Sequence, residues 1–103
     1  MPDYIFVYHG GKMPANPEEA KKSMAAWMAW FGGMAAAVVD GGNPVGMSST
    51  VSKAGVADNG GANPVSGYSI IRADDIAGAI AHAKGCPICA ECGSVEVAEI
   101  IPM

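Results

Sequence analysis

Cys86, Cys89 and Cys92 stand at C-x-x-C-x-x-C spacing in the run GCPICAEC, and they are the three cysteines of the chain. Thiolates so spaced suit metal ligation or thiol–disulfide exchange, but each chemistry has a further requirement. A structural zinc site needs four ligands in a tetrahedron, and bacterial iron–sulfur runs place a fourth cysteine and a proline just after the third. Here Gly93, Ser94, Val95 and Glu96 follow, so a fourth ligand would have to be His82, Glu96 or a group from another chain. A Cys86–Cys89 redox pair would follow a helix instead of opening one, and would lack the N-terminal dipole that lowers a thiol pKa. The three positions therefore read as small side chains packed where a helix ends, and no metal is expected.

His9 is the stronger candidate for chemistry. Imidazole titrates near neutrality and serves as general acid or base, and His9 ends an apolar segment beside Gly10-Gly11, where a ring can face a cavity at a sheet edge. In that role Asp40 or Asp58 would orient it, with Tyr8, Asn43, Ser49, Tyr68 and Glu96 as plausible companions. The ordinary alternative is a half-buried histidine bonded to a carbonyl. Asp40 and Asn43 flank a turn, where such residues commonly cap backbone groups. Glu96 sits mid-strand among valines, facing either a buried site, water or a subunit boundary. No glycine-rich loop follows a strand and opens a helix, so nucleotide binding finds no support.

The elements that must position these groups are legible in outline. DYIFVYH (residues 3–9) is rich in aromatic and β-branched residues and is stopped by two glycines, as a strand is. Tyr4, Phe6 and Tyr8 share one side and Ile5, Val7 and His9 the other, the pattern of a central strand covered on both faces. Asn16 then caps a helix with Pro17 at its first position and acids in its first turn. Met24, Trp27, Met28 and Phe31 form its expected apolar stripe, and Trp30 falls off that stripe, under a loop or against a second subunit. The helix is expected to stop near Gly32-Gly33.

After the apolar link MAAAVVD comes GGNPVG, echoed by GGANPVSG at 60–67 as turn chemistry. MSSTVSK (47–53) suits the second strand, and 54–64 a long hairpin loop. GYSIIRA (67–73) reads as the third strand. Asp74-Asp75 opens a second helix with inner positions Ile76, Ala79, Ile80 and Ala83, and Gly85 is expected to close it in a left-handed conformation before Pro87. His82 falls on its solvent side. GSVEVAEII (93–101) alternates as the fourth strand. The order βαββαβ on 103 residues predicts one α+β domain spanning 1–103, a ferredoxin-like sandwich with a four-stranded antiparallel sheet and both helices on one face.

Composition narrows the function classes. Half of the residues are hydrophobic and 16% are charged, which excludes a disordered tail. No apolar run approaches the roughly 20 residues that cross a bilayer. The net charge is -4, and the bases Lys12, Lys21, Lys22, Lys53, Arg72 and Lys84 are scattered, so no stripe is expected to hold a phosphate backbone or an acidic membrane. Neither nucleic acid nor membrane is an expected partner. The opening MPDYIFVYHG lacks the cations of a leader, and three clustered cysteines suit a reducing compartment, so a cytoplasmic location is expected.

The run GNPVG, a Ser/Thr strand, SGYSIIRADD-x-x-x-A, then GCP and finally GSVEVAEI resembles the YCII-related proteins, small members of the dimeric α/β barrel superfamily. The likeness covers essentially the whole chain. It implies a homodimer in which two ferredoxin-like sheets join face to face, and cofactor-free acid/base chemistry of the kind muconolactone isomerase performs. Two departures stand out. Where many YCII-like proteins carry a histidine on the first helix and an aspartate before the proline after the second, this chain has Lys22, Ser23 and Met24, and Cys86 before Pro87. The loop before the third strand reads DNGGANPV in place of the DGPF of another branch.

Two functions follow as expectations. One is a cofactor-free acid/base enzyme or binder of a small hydrophobic or aromatic metabolite, its pocket lined by Tyr4, Phe6, Tyr8, Trp27, Phe31 and Tyr68. The other is a noncatalytic dimeric ligand-sensing or protein-interaction module in which those aromatics are core.

Overall fold

The computed structural model describes residues 1–11 and 15–103; Lys12, one of the six bases, lies outside them. Strand β1 (Asp3–His9) pairs antiparallel with β5 (Val65–Arg72) on one side and β6 (Ser94–Glu99) on the other. The short strand β2 (Val38–Asp40) extends the far side of β5, giving a four-stranded antiparallel sheet in the order β2-β5-β1-β6. Helix α1 (Pro17–Met34) and helix α2 (Ile76–Lys84) connect the strands. The architecture is α+β, compatible with a ferredoxin-like sandwich.

Alternation along β1 decides which face is covered. Tyr4, Phe6 and Tyr8 are 2%, 0% and 5% exposed and pack with Ile71, Met34, Ala79 and Ala83 in one core, so both helices lie on that face. Burying an aromatic or branched side chain contributes about 1.5–3 kcal/mol, which makes this row the principal stabilising feature of the sheet. On the opposite face, Ile5 and Val7 meet Ile70, Tyr68 and Ala98 across the ladders and remain half-buried or exposed. No helix covers it among the described residues.

Local signals hold at the helix starts. Asn16 accepts a hydrogen bond from Glu19 N at 2.9 Å and Pro17 opens α1, while Asp75 accepts from Gly78 N at 2.8 Å to open α2. Orphan first-turn amides are thereby satisfied. The apolar stripe of α1 differs from the one expected. Met24 and Met28 are 66% and 68% exposed, whereas Trp30 turns inward to stack on Phe6 and donates its indole N–H to His82 O at 2.9 Å. The inward face runs through Ser23, Trp27, Trp30, Phe31 and Met34 because the aromatic row of β1, and not the longest run of large side chains, sets the helix rotation. The helix continues through Gly32-Gly33 to Met34 and ends in a 3-10 turn at Ala35–Ala37.

Other corrections have similar causes. In α2, Ala79 and Ala83 are buried but Ile76 and Ile80 are 45% and 42% exposed. His82 is half-buried, and Gly85 adopts a right-handed φ of -85°. The second strand of the sheet is Val38–Asp40, inside the stretch read as a link. MSSTVSK instead contributes β3 (Thr50–Ser52), which pairs only with β4 (Gly55–Ala57) in a separate hairpin whose strand residues are all exposed. Two valines next to Ile70 and Ile71 join an apolar sheet, whereas β3 has Thr50 and Ser52 on one face and only Val51, opposite Val56, on the other, too little to bury. This arm broadens the molecule: its radius of gyration is 14.7 Å, against about 13 Å for a compact chain of this length. The two Asn-Pro echoes lie near one another, the first running beside β5 through Tyr68 N→Asn43 O at 3.2 Å and Val45 N→Ser66 O at 3.0 Å.

Among the described residues, no helix is long and apolar enough to cross a membrane.

Candidate functional site

A cleft of about 570 Å³ opens between α1 and the end of the sheet. Its helix wall is Ala20, Ser23, Met24, Trp27 and Phe31; its opposite wall is the Gly41–Pro44 turn with Ser66, Gly67 and Tyr68; Tyr8 and Ile88 complete it. The aromatic groups are held by one another. Trp27 meets Tyr8 edge-on at a centroid distance of 5.0 Å and 86°, and lies 6.1 Å from Phe31. Such pairs add about 0.5–1.5 kcal/mol beyond area burial and restrict ring rotation.

The opposite wall depends on two polar features. Tyr8 OH donates to Ser69 Oγ at 2.7 Å, and Ser69 donates onward to Gly41 O at 2.7 Å, tying the central strand to the turn. Burial, partly offset by the Ser69 hydrogen bond, pushes the Tyr8 phenol well above its ordinary value, so it stays neutral and serves as a strut. Asp40 Oδ1 accepts from Gly42 N at 2.8 Å, an Asx-type cap on the turn. Gly42 has φ +69°, and a Cβ there would collide with the Tyr68 carbonyl oxygen, so only glycine brings the turn this close to β5.

The predicted ligand residues divide between cleft and core. Tyr8, Trp27, Phe31, Asn43 and Tyr68 line the cleft. Tyr4 and Phe6 are sealed beneath the helices, with burial and the Glu99 and Asp75 charges raising the Tyr4 phenol pKa. Ser49 is exposed on the arm side of the chain. Sequence reasoning passed over Ala20, Ser23, Met24 as a wall residue, the Gly41-Gly42 backbone, Ser66 and Ile88. The spacing Ala20, Ser23, Trp27, Phe31 was available as a signal, one helix face with two small residues leaving room beside two large ones.

The acid/base set is not assembled as expected. His9 is 9% exposed, with Nδ1 3.0 Å from Asn63 O and 3.2 Å from Pro64 O, and Nε2 2.9 Å from Glu96 Oε1. Carbonyls and carboxylates only accept, so both ring nitrogens must carry protons for these contacts to be hydrogen bonds. The Glu96 hydrogen bond raises the His9 pKa against the opposing effect of burial, and the carbonyls assist. His9 is thus a latch joining β1, β6 and the base of the arm, in surroundings that favour its protonated form. Its carboxylate is Glu96, which the β1–β6 register sets diagonally opposite, and not Asp40, which caps the turn, or Asp58, which stands exposed on the arm.

At the cysteines, Cys86 is 3% exposed and burial pushes its thiol up to about 12, so it remains protonated and unreactive at neutral pH. Cys89 and Cys92 are exposed, and Cys89 Sγ makes only a weak contact of 3.9 Å to Ala83 O. Among the described residues, no group of three or more His, Cys, Asp or Glu side chains is placed to hold a metal ion. The expected packing is met by Cys86 and not by Cys89 or Cys92; the tightly packed position beside them is Gly93, where a Cβ would lie 2.5 Å from Ile88 Cγ1 and 2.6 Å from His9 O.

Set beside known proteins, the chain matches no family model, no curated protein and no solved structure.

Proposed function

We propose that the protein binds a small hydrophobic, ring-bearing metabolite in the cleft between α1 and the Gly41–Pro44 turn, as one half of a YCII-like homodimer. The observation that carries this reading is the lining: Tyr8, Trp27 and Phe31, packed against one another, form one wall of about 570 Å³ of open space. Ligand pockets are mostly apolar concavities with a few polar groups, in this size range. Binding is favoured over acid/base catalysis because both His9 nitrogens already have partners. The remaining polar side chains on the cleft wall are hydroxyls and an amide, which are poor acids and bases at neutral pH. Pairing is supported by the helix-free sheet face bearing Ile5, Val7, Tyr68, Ile70 and Ala98, an apolar surface a second copy would remove from water.

Fluorescence titration with small aromatic and lactone compounds tests the site, since Trp27 lines it and Trp30 packs against Trp27 at 5.6 Å. Saturable quenching in the native protein, lost in a folded Ala20→Phe variant that fills the cleft, is the expected result. Quenching that survives Ala20→Phe, or no saturable response, refutes it. Sedimentation should give twice the chain mass; a stable protomer at micromolar concentration removes the pairing.

A further inference from the structure

We infer that the cleft selects a neutral planar ring carrying one carbonyl or hydroxyl, and excludes the corresponding carboxylate. The inference rests on the binding reading above and adds the charge class of the ligand to it. Among the described residues that line the cleft, none is charged: its polar side chains are the hydroxyls of Ser23, Ser66 and Tyr8 and the amide of Asn43, since Tyr68 belongs with Ile70 and Val7 on the other face of the sheet. Two of those hydroxyls are already committed, Tyr8 to Ser69 and Ser23 to Glu91 Oε1 at 2.7 Å. A carboxylate entering beside Trp27 and Tyr8 would lose its hydration with no cation to replace it, which strongly disfavours the charged form.

Neither lysine of α1, Lys21 or Lys22, lines the cleft. Lys22 lines the adjoining groove on the other side of α1, together with Glu19 and Glu91. A net charge of -4 further opposes the approach of an anion. Asn43 supplies what a neutral head group needs. Its backbone carbonyl is taken by Tyr68 N at 3.2 Å, while its side chain is exposed at the cleft wall and offers both a donor and an acceptor. The aromatic wall takes the ring faces and edges, and the amide takes the single polar substituent.

Calorimetric titration at pH 7 with a matched pair, 2-naphthol and 2-naphthoate, tests this, with the ring held constant and only the charge changed. The expected result is saturable binding of 2-naphthol and binding of 2-naphthoate weaker by about tenfold or more. A Met24→Lys variant sharpens the test, because Met24 lines the cleft yet is 66% exposed, so the fold tolerates the change. Lysine there should narrow the gap by about threefold, the scale of a partly exposed ion pair. Equal binding of the two probes to the native protein overturns the charge inference and leaves the cleft reading in place. A Met24→Lys variant that binds 2-naphthol but shows an unchanged gap also overturns it. Failure of 2-naphthol to bind the native protein overturns the cleft reading, and the charge inference with it.

Discussion

The cleft beside Trp27 and the latch around His9 lie at the same end of the sheet, and they use side-chain chemistry in opposite ways. At the latch, both ring nitrogens of His9 are matched to acceptors from Asn63, Pro64 and Glu96, so the residue with the most reactive side chain has no free capacity. At the cleft, unreactive aromatics and one exposed amide surround unfilled space. The difference teaches that a candidate site is identified by unused volume and unused hydrogen-bonding capacity, and that a titratable residue with every partner in place is a structural element.

The largest expected effect falls on the cleft wall. Gly42→Val adds a branched side chain at φ +69° against the Tyr68 carbonyl, and should cost about 3 kcal/mol or more. Chemical denaturation measures the loss, and a fully stable variant would show that the turn need not approach β5. Next, Trp27→Ala removes a half-buried ring that contacts Tyr8 and Phe31, with an expected cost of about 2 kcal/mol and loss of ring binding. Retained binding in a folded Trp27→Ala protein would break the account of the cleft.

The latch should respond to pH and barely to ligand. The folded His9 pKa is raised above its ordinary 6.5, so the native state holds the proton more tightly than the unfolded chain. The stabilisation is full below about pH 6.5 and is lost as pH rises through the raised folded value. Because the Glu96 side chain is 67% exposed, the loss should be only about 1 kcal/mol. Glu96→Gln should flatten that part of the stability profile and leave ring binding unchanged. A profile that stays as steep in Glu96→Gln would place the pH dependence on another group.

The smallest effect is expected between the two regions, at Ser66. Its Oγ is buried without a hydrogen-bond partner among the described residues. Removing an unpaired hydroxyl relieves its desolvation, so Ser66→Ala should be neutral or stabilising by up to about 1 kcal/mol. A clear destabilisation in the same denaturation assay would mean that the hydroxyl has a partner in solution.

What could be read from the sequence follows how local the deciding interaction is. Asn16-Pro17 and Asp75 mark helix starts through contacts within three residues, and both are used as read. The alternation in β1 likewise groups Tyr4, Phe6 and Tyr8 on one side, but it reads as a strand covered on both faces and does not tell which face the helices take. The rotation of α1 was less accessible, because Trp30 faces inward to reach Phe6 and His82 O, groups distant in sequence. Strand β2 was missed for the same reason, since three residues qualify as a strand only beside Ile70 and Ile71 of β5. For the site, Tyr8, Trp27, Phe31, Asn43 and Tyr68 were identified by type and meet at the cleft. The pairing of His9 with Glu96 is set by the β1–β6 register, which brings together residues 87 positions apart.

The central claim, that the Trp27 cleft is where a ligand enters, is tested most directly by an amide and indole chemical-shift map of the isotope-labelled protein titrated with 2-naphthol. The account predicts saturable shifts at Trp27, Gly41, Gly42 and Gly67, with His9 and Glu96 unmoved. Shifts centred on His9, Glu96 and the Asn63-Pro64 carbonyls, with the Trp27 indole unchanged, would contradict it.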